Sequence, residues 1–160
     1  MRAAAVLLVL LTLAGCGGTI QVEPPVPQGP AAAACDKLAT LLPQTLDGAP
    51  RGTSTPESPY VAVWGDGVIA LRCGVPRPAR MAPTDQLQEI DGVGWFPDPE
   101  KPALFTAVTD SAYVEVTVGG EHTAAEVLAE LSKPIGQISP QAGGSGGPAD
   151  STLFYTLSPR

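Results

Sequence analysis

Three aspartate–glycine pairs, Asp47-Gly48, Asp66-Gly67 and Asp91-Gly92, punctuate the middle of the sequence and limit what can form between them. Glycine enters positive φ without steric cost and aspartate tolerates it, so these pairs make turns, above all the tight loops of hairpins. The apolar runs beside them are too short for helices and rich in β-formers. Tyr60 to Trp64 and Val68 to Cys73 flank Gly65-Asp66-Gly67, and Gln86 to Ile90 and Val93 to Phe96 flank Asp91-Gly92. Ala103 to Val108 and Ala112 to Val118 flank Thr109-Asp110-Ser111. Along a strand, side chains alternate between the two faces. Val114, Val116 and Val118 therefore share one face, and Tyr113, Glu115 and Thr117 the other. Ile69, Leu71 and Cys73 likewise oppose Val68, Ala70 and Arg72. The pattern predicts a sheet with one covered and one wetter face.

Two segments carry helical periodicity instead. Ala31, Ala34, Cys35, Leu38 and Leu42 fall on one stripe, with Pro43 as a stop. Thr123-Ala124-Ala125-Glu126 reads as a capping box opening a helix whose stripe is Ala124, Val127, Leu128 and Leu131, and Pro134 is expected to end it. Ala49 to Pro59 and Pro76 to Pro83 read as loops. The expected fold is α+β: an antiparallel sheet of about five or six strands built from hairpins, with an N-terminal and a C-terminal helix packed on one face. The 18 glycines and 18 prolines cluster at the two ends. Residues 16–30 thus read as a Pro-rich tether, 31–140 as a single globular domain, and 141–160 as a Gly-rich flexible tail.

The start of the chain speaks to location. Met1 and Arg2 precede an apolar run from Ala3 to Leu13 broken only by Thr12. One positive charge, a short apolar stretch and small residues in sequence are the layout of an export signal, here residues 1–15. A run of about 11 residues falls well short of the roughly 20 a spanning helix needs. Leu13-Ala14-Gly15-Cys16 resembles the lipobox of bacterial lipoproteins. That resemblance implies a diacylglyceryl group on the Cys16 sulfur, cleavage before it, and the outer face of the cell membrane as the location. Two acyl chains give stable anchoring where one is marginal. Cys35 and Cys73 then remain, in an oxidising compartment, with one pairing open to them. Two free buried thiols are the alternative reading.

A wider resemblance spans Ala31 to Ile138. Cys35 ahead of Leu38 and Leu42-Pro43, then Leu46-Asp47-Gly48, Trp64-Gly65-Asp66, Leu71-Arg72-Cys73-Gly74-Val75-Pro76 and Gly92-Val93-Gly94-Trp95 resemble actinobacterial lipoproteins sharing "domain of unknown function 3515". The resemblance implies a cell-envelope setting and no particular activity. Gly67 stands where that family suggests proline and Gly94 where it suggests an acid, so no functional carboxylate is inferred beside Trp95.

The chemistry-bearing residues narrow the function further. The chain holds 9 Lys and Arg against 16 Asp and Glu, a net charge of −7. Nucleic-acid phosphates need basic clusters, so a nucleic-acid partner is not expected. The single histidine, His122, reads as a solvent-exposed turn residue. Gly-x-Ser-x-Gly occurs only as Gly143-Gly144-Ser145-Gly146-Gly147, a Gly-rich run with no strand before it that reads as linker, and no Ser-x-x-Lys or His-Glu-x-x-His motif occurs. Two cysteines and one distant histidine fall short of a metal's usual four ligands. No catalytic residue, metal or cofactor is therefore expected. Glu115 is a carboxylate in the interior of a strand, and Arg72 is a mid-strand charge beside apolar neighbours. Arginine and tryptophan are enriched at binding hot spots, which makes Trp64, Arg72 and Trp95 the candidate recognition face. The expected function is a non-enzymatic binding or scaffold lipoprotein, held to the membrane through Cys16 and meeting an envelope protein or cell-wall component. A wall hydrolase using carboxylates and a small-ligand carrier stay open as alternatives.

Overall fold

The computed structural model describes residues 19–139; residues 1–15, read above as an export signal, Cys16, and residues 141–160, read above as a tail, lie outside them. Its elements run β1 (Ile20–Gln21), α1 (Pro30–Leu41), β2 (Thr45–Leu46), β3 (Ala49–Pro50), β4 (Ser54–Thr55), β5 (Val61–Trp64), a 3-10 turn (Gly65–Gly67), β6 (Ile69–Val75), β7 (Gln88–Ile90), β8 (Val93–Pro97), β9 (Leu104–Val108), β10 (Tyr113–Val118) and α2 (Ala124–Gly136). The six longer strands, β5 to β10, form one sheet in the order β5-β6-β10-β9-β8-β7, with every neighbour antiparallel. The architecture is α+β, as the turn spacing requires. A hairpin, β5–β6, meets a meander, β7 to β10, along the single seam between β6 and β10.

The aspartate–glycine pairs behave as their chemistry dictates. Asp47 and Gly48 take φ of 46° and 76°, and Asp91 and Gly92 take 48° and 79°. Positive φ at both central residues is the type I′ condition that matches strand twist. The first pair joins β2 to β3, a small ribbon in a stretch that reads as loop, because two-residue strands carry no period. Strands β1 and β4 pair in parallel for the same length and were equally illegible.

Ile69, Leu71 and Cys73 of β6 and Val114, Val116 and Val118 of β10 enter one buried cluster with Ala34, Cys35 and Leu38 of α1 and Val127, Leu128, Leu131 and Ile135 of α2. A disulfide joins Cys35 to Cys73, with Cα atoms 5.6 Å apart, and fastens α1 to the sheet. Tyr60 lies at the start of β5; partial burial and, after it, the charge of Asp36 on α1 hold its phenol above the ordinary value.

Helix α2 departs from expectation at both ends. Thr123 is its N-cap, but the side chain makes no cap hydrogen bond. The Glu126 and Val127 amides instead donate to the Thr123 carbonyl at 3.0 and 3.1 Å, so the capping box does not form. The helix also runs past Pro134 to Gly136. In the last turn proline forfeits only one backbone hydrogen bond, and burial of Ile135 and Ile138 draws the chain onward into the core.

Residues 19–28 depart most from the sequence reading. They run as an extended strap along β6 on the face away from the main core, rather than standing free as a spacer. The Ile20 and Val22 amides donate to the Thr53 and Thr55 carbonyls. Gly67 and Gly74, both at φ 83°, make room for the strap: a Cβ on Gly67 would lie 2.7 Å from Ile20, and one on Gly74 2.4 Å from Pro27. The strap takes seven steps from Ile20 to Pro27, the same number that separate Gly67 from Gly74, so it meets the end of the 3-10 turn and the strand β6 in step. Val61 and Val63, on the same face of β5, are 5% and 1% exposed. Both faces of β5 are thus covered, which explains its unbroken apolar sequence.

Candidate functional site

The proposed recognition face does not assemble. Trp64 has no solvent exposure, its indole N–H donates to the Pro43 carbonyl at 3.1 Å, and the Arg51 guanidinium lies 4.8 Å from its ring centroid. The same partial burial pushes Arg51 below the ordinary arginine value. Trp95 is also fully buried, with its N–H donating to the Ser132 hydroxyl at 3.0 Å, which in turn donates to the Leu128 carbonyl at 2.8 Å. Both tryptophans belong to the core. The β5–β6 register pairs Trp64 with Ile69 and Val61 with Arg72, so Trp64 and Arg72 lie on opposite faces of the sheet.

Arg72 faces outward, directly across from Glu115 on β10. Its Nη1 donates to Glu115 Oε1 at 2.9 Å, and its Nε donates to the Glu23 carbonyl of the strap at 3.0 Å. Arg72 is therefore a clasp: one arm holds the seam strand, the other the strap. The pair stays partly exposed, 31% and 22%, so its Coulomb attraction is largely screened. The exposed ion pair contributes a few tenths of a kcal/mol and the charged bond to the strap about 1. Arg72→Ala is expected to lower stability by about 1–2 kcal/mol without unfolding the domain. Hydrogen exchange should show faster exchange of the Val22 amide; unchanged protection there would remove the clasp role.

Beyond the strap, the same face holds an open groove of about 350 Å³ over β9 and β10. Thr106, Leu104 and Glu115 line its floor, and Arg80, Glu100 and Lys101 stand on its rim. Arg80 and Glu100 pair at 2.6 Å and are both more than half exposed. Asp98 turns its carboxylate onto the Glu100 and Lys101 amides, fixing that corner. The groove offers carboxylate acceptors and cationic donors side by side. That composition suits a polar ligand carrying both signs, and its volume falls in the roughly 300–1,000 Å³ range of small-ligand sites. Glu115, the strand carboxylate singled out in the sequence, lies at the join between the clasp and the groove.

His122 is not a free turn residue. Its Nδ1 lies 2.8 Å from Asp47 Oδ2, with each side chain about a quarter exposed. The Asp47 amide also donates to Glu130 of α2 at 3.4 Å. The pair ties the β2–β3 turn to the start of α2. No sequence signal marks a contact across 75 residues, although an aspartate fixed at positive φ already aims its side chain. Among the described residues no group of three or more His, Cys, Asp and Glu side chains is placed to hold a metal. Among them, too, no helix is long and apolar enough to cross a membrane.

A family model described as "Protein of unknown function (DUF3515)" matches residues 2–143. No curated protein and no solved structure matches the chain.

Proposed function

The chain belongs to the DUF3515 family, and from that premise we propose that it is a lipid-anchored binding or scaffold module on the outer face of the cell membrane. The carrying observation is the Cys35–Cys73 disulfide. Structural disulfides belong to oxidising compartments, and this one accounts for both cysteines of the domain. Cys16 is then the only remaining thiol, and it follows an export-type leader at the lipobox position. The anchor is lipid, with no help from charge: without Arg2 the chain keeps 8 Lys and Arg against 16 Asp and Glu, the wrong sign for an anionic bilayer. The groove beside Glu115 is the surface offered to an envelope protein or cell-wall component. Its mixed charges suit recognition of a polar partner better than burial of an apolar one.

The decisive experiment combines mass spectrometry with fractionation. Mature protein is expected to begin at an acylated Cys16, and Cys16→Ala is expected to move it from the membrane to the soluble fraction. Membrane retention unchanged by the substitution would overturn the assignment.

A further inference from the structure

We propose that the docked strap fixes which end of the domain faces the bilayer: the end bearing Gly65–Gly67 and Gly119–Glu121 lies toward the membrane, and the 109–111 hairpin points away. The inference rests on acylation at Cys16. It follows from where the strap first meets the domain. Ile20 is held there by the hydrogen bond its amide donates to the Thr53 carbonyl and by its side chain in the space beside Gly67. Gly67 lies in the turn between β5 and β6, and the Gly119 amide donates to the Val68 carbonyl at 2.8 Å, so the end of β10 gathers at the same place. The opposite end holds Tyr113, paired with both Val75 and Val108.

Only four residue steps separate Cys16 from Ile20. Fully extended at ~3.3–3.6 Å each, they reach about 14 Å. A free tether over residues 16–30 would reach roughly 40 Å and leave the domain free to turn. The seven residues of β6 span about 20 Å, so the far end stands about that much higher than the near one. Asp66 and Glu121 are exposed at the near end. Against anionic headgroups they resist close contact within a Debye length of ~8 Å. The near end therefore hovers over the bilayer, tethered but not inserted. The lipid surface is thus the partner of this end.

The test uses the full acylated chain on phosphatidylcholine–phosphatidylglycerol vesicles carrying an energy acceptor on a fraction of headgroups. A donor dye is placed through Glu121→Cys or through Asp110→Cys, with the Cys35–Cys73 bridge intact. Transfer is expected to be several-fold stronger from position 121 than from 110. Inserting about ten Gly/Ser residues between Cys16 and Ile20 should erase the difference, because a flexible linker of that length lets the domain tumble. Co-flotation with equal transfer from both positions overturns the orientation alone, as does a difference that survives the insertion. Failure of the chain to float with vesicles overturns the anchor, and the orientation with it.

Discussion

Replacing Cys35 and Cys73 together by serine is expected to cost the domain about 4 kcal/mol, the loop-closure entropy that a bridge across some 38 residues removes from the unfolded chain. The sequence separation is 38 residues. Both cysteines are almost wholly buried, 1% and 2% exposed, so the two hydroxyls left behind must also find partners in an apolar cluster. Against a typical total of about 5–15 kcal/mol, such a loss leaves a marginal fold. Urea denaturation of oxidised wild type and of the double variant measures it directly. The midpoint should fall sharply while the slope changes, because the unbridged chain exposes more surface on unfolding. A midpoint unchanged within error would mean that the contact of α1 with β6 owes nothing to the bridge.

Trp95→Ala is expected to be of similar size, about 3–5 kcal/mol, as for other buried aromatic truncations. The ring is fully enclosed beside α2, and its N–H satisfies the Ser132 hydroxyl. Truncation opens a cavity between sheet and helix and strips Ser132 of one partner. Trp95→Phe should cost less, since most of the apolar volume stays and Ser132 still donates to the Leu128 carbonyl. Were Trp95 an exposed recognition residue, either change would fall within about ±0.5 kcal/mol. Thermal unfolding followed by far-UV circular dichroism separates the two cases, because that signal does not depend on the tryptophan itself.

The contrast between Trp95 and the turns shows what a sequence can carry. Asp47, Asp66 and Asp91 are legible because a single backbone angle selects the residue type, and all three do take positive φ. The α1 stripe is legible because 3.6-residue periodicity and Pro43 speak together. The face of Trp64 was not legible. Val61, Ala62, Val63 and Trp64 are all buried, so β5 shows no alternation from which to read a direction. Only the pairing of Trp64 with Ile69 decides it. The strap was hidden for a different reason. A proline-rich stretch adopts the same extended form whether solvated or docked, with no internal hydrogen bonds to betray the difference. What docks it, Gly67 and Gly74, lies more than forty residues away and reads as ordinary turn and strand glycine. Arg72 was noticed as unusual, but its partners are the product of register and of that strap.

The seam between β6 and β10 has a consequence for how the chain acquires its shape. The last strand to be made, β10, is an inner strand of the sheet. Until residue 118 is available, β6 on one side and β9 on the other each present a bare row of amides and carbonyls, the kind of edge that invites pairing with other chains. A nascent or truncated product ending before Tyr113 would hold two half-sheets with nothing to join them. Closure is a single late event, and premature termination anywhere upstream of it should yield aggregation rather than a smaller fold.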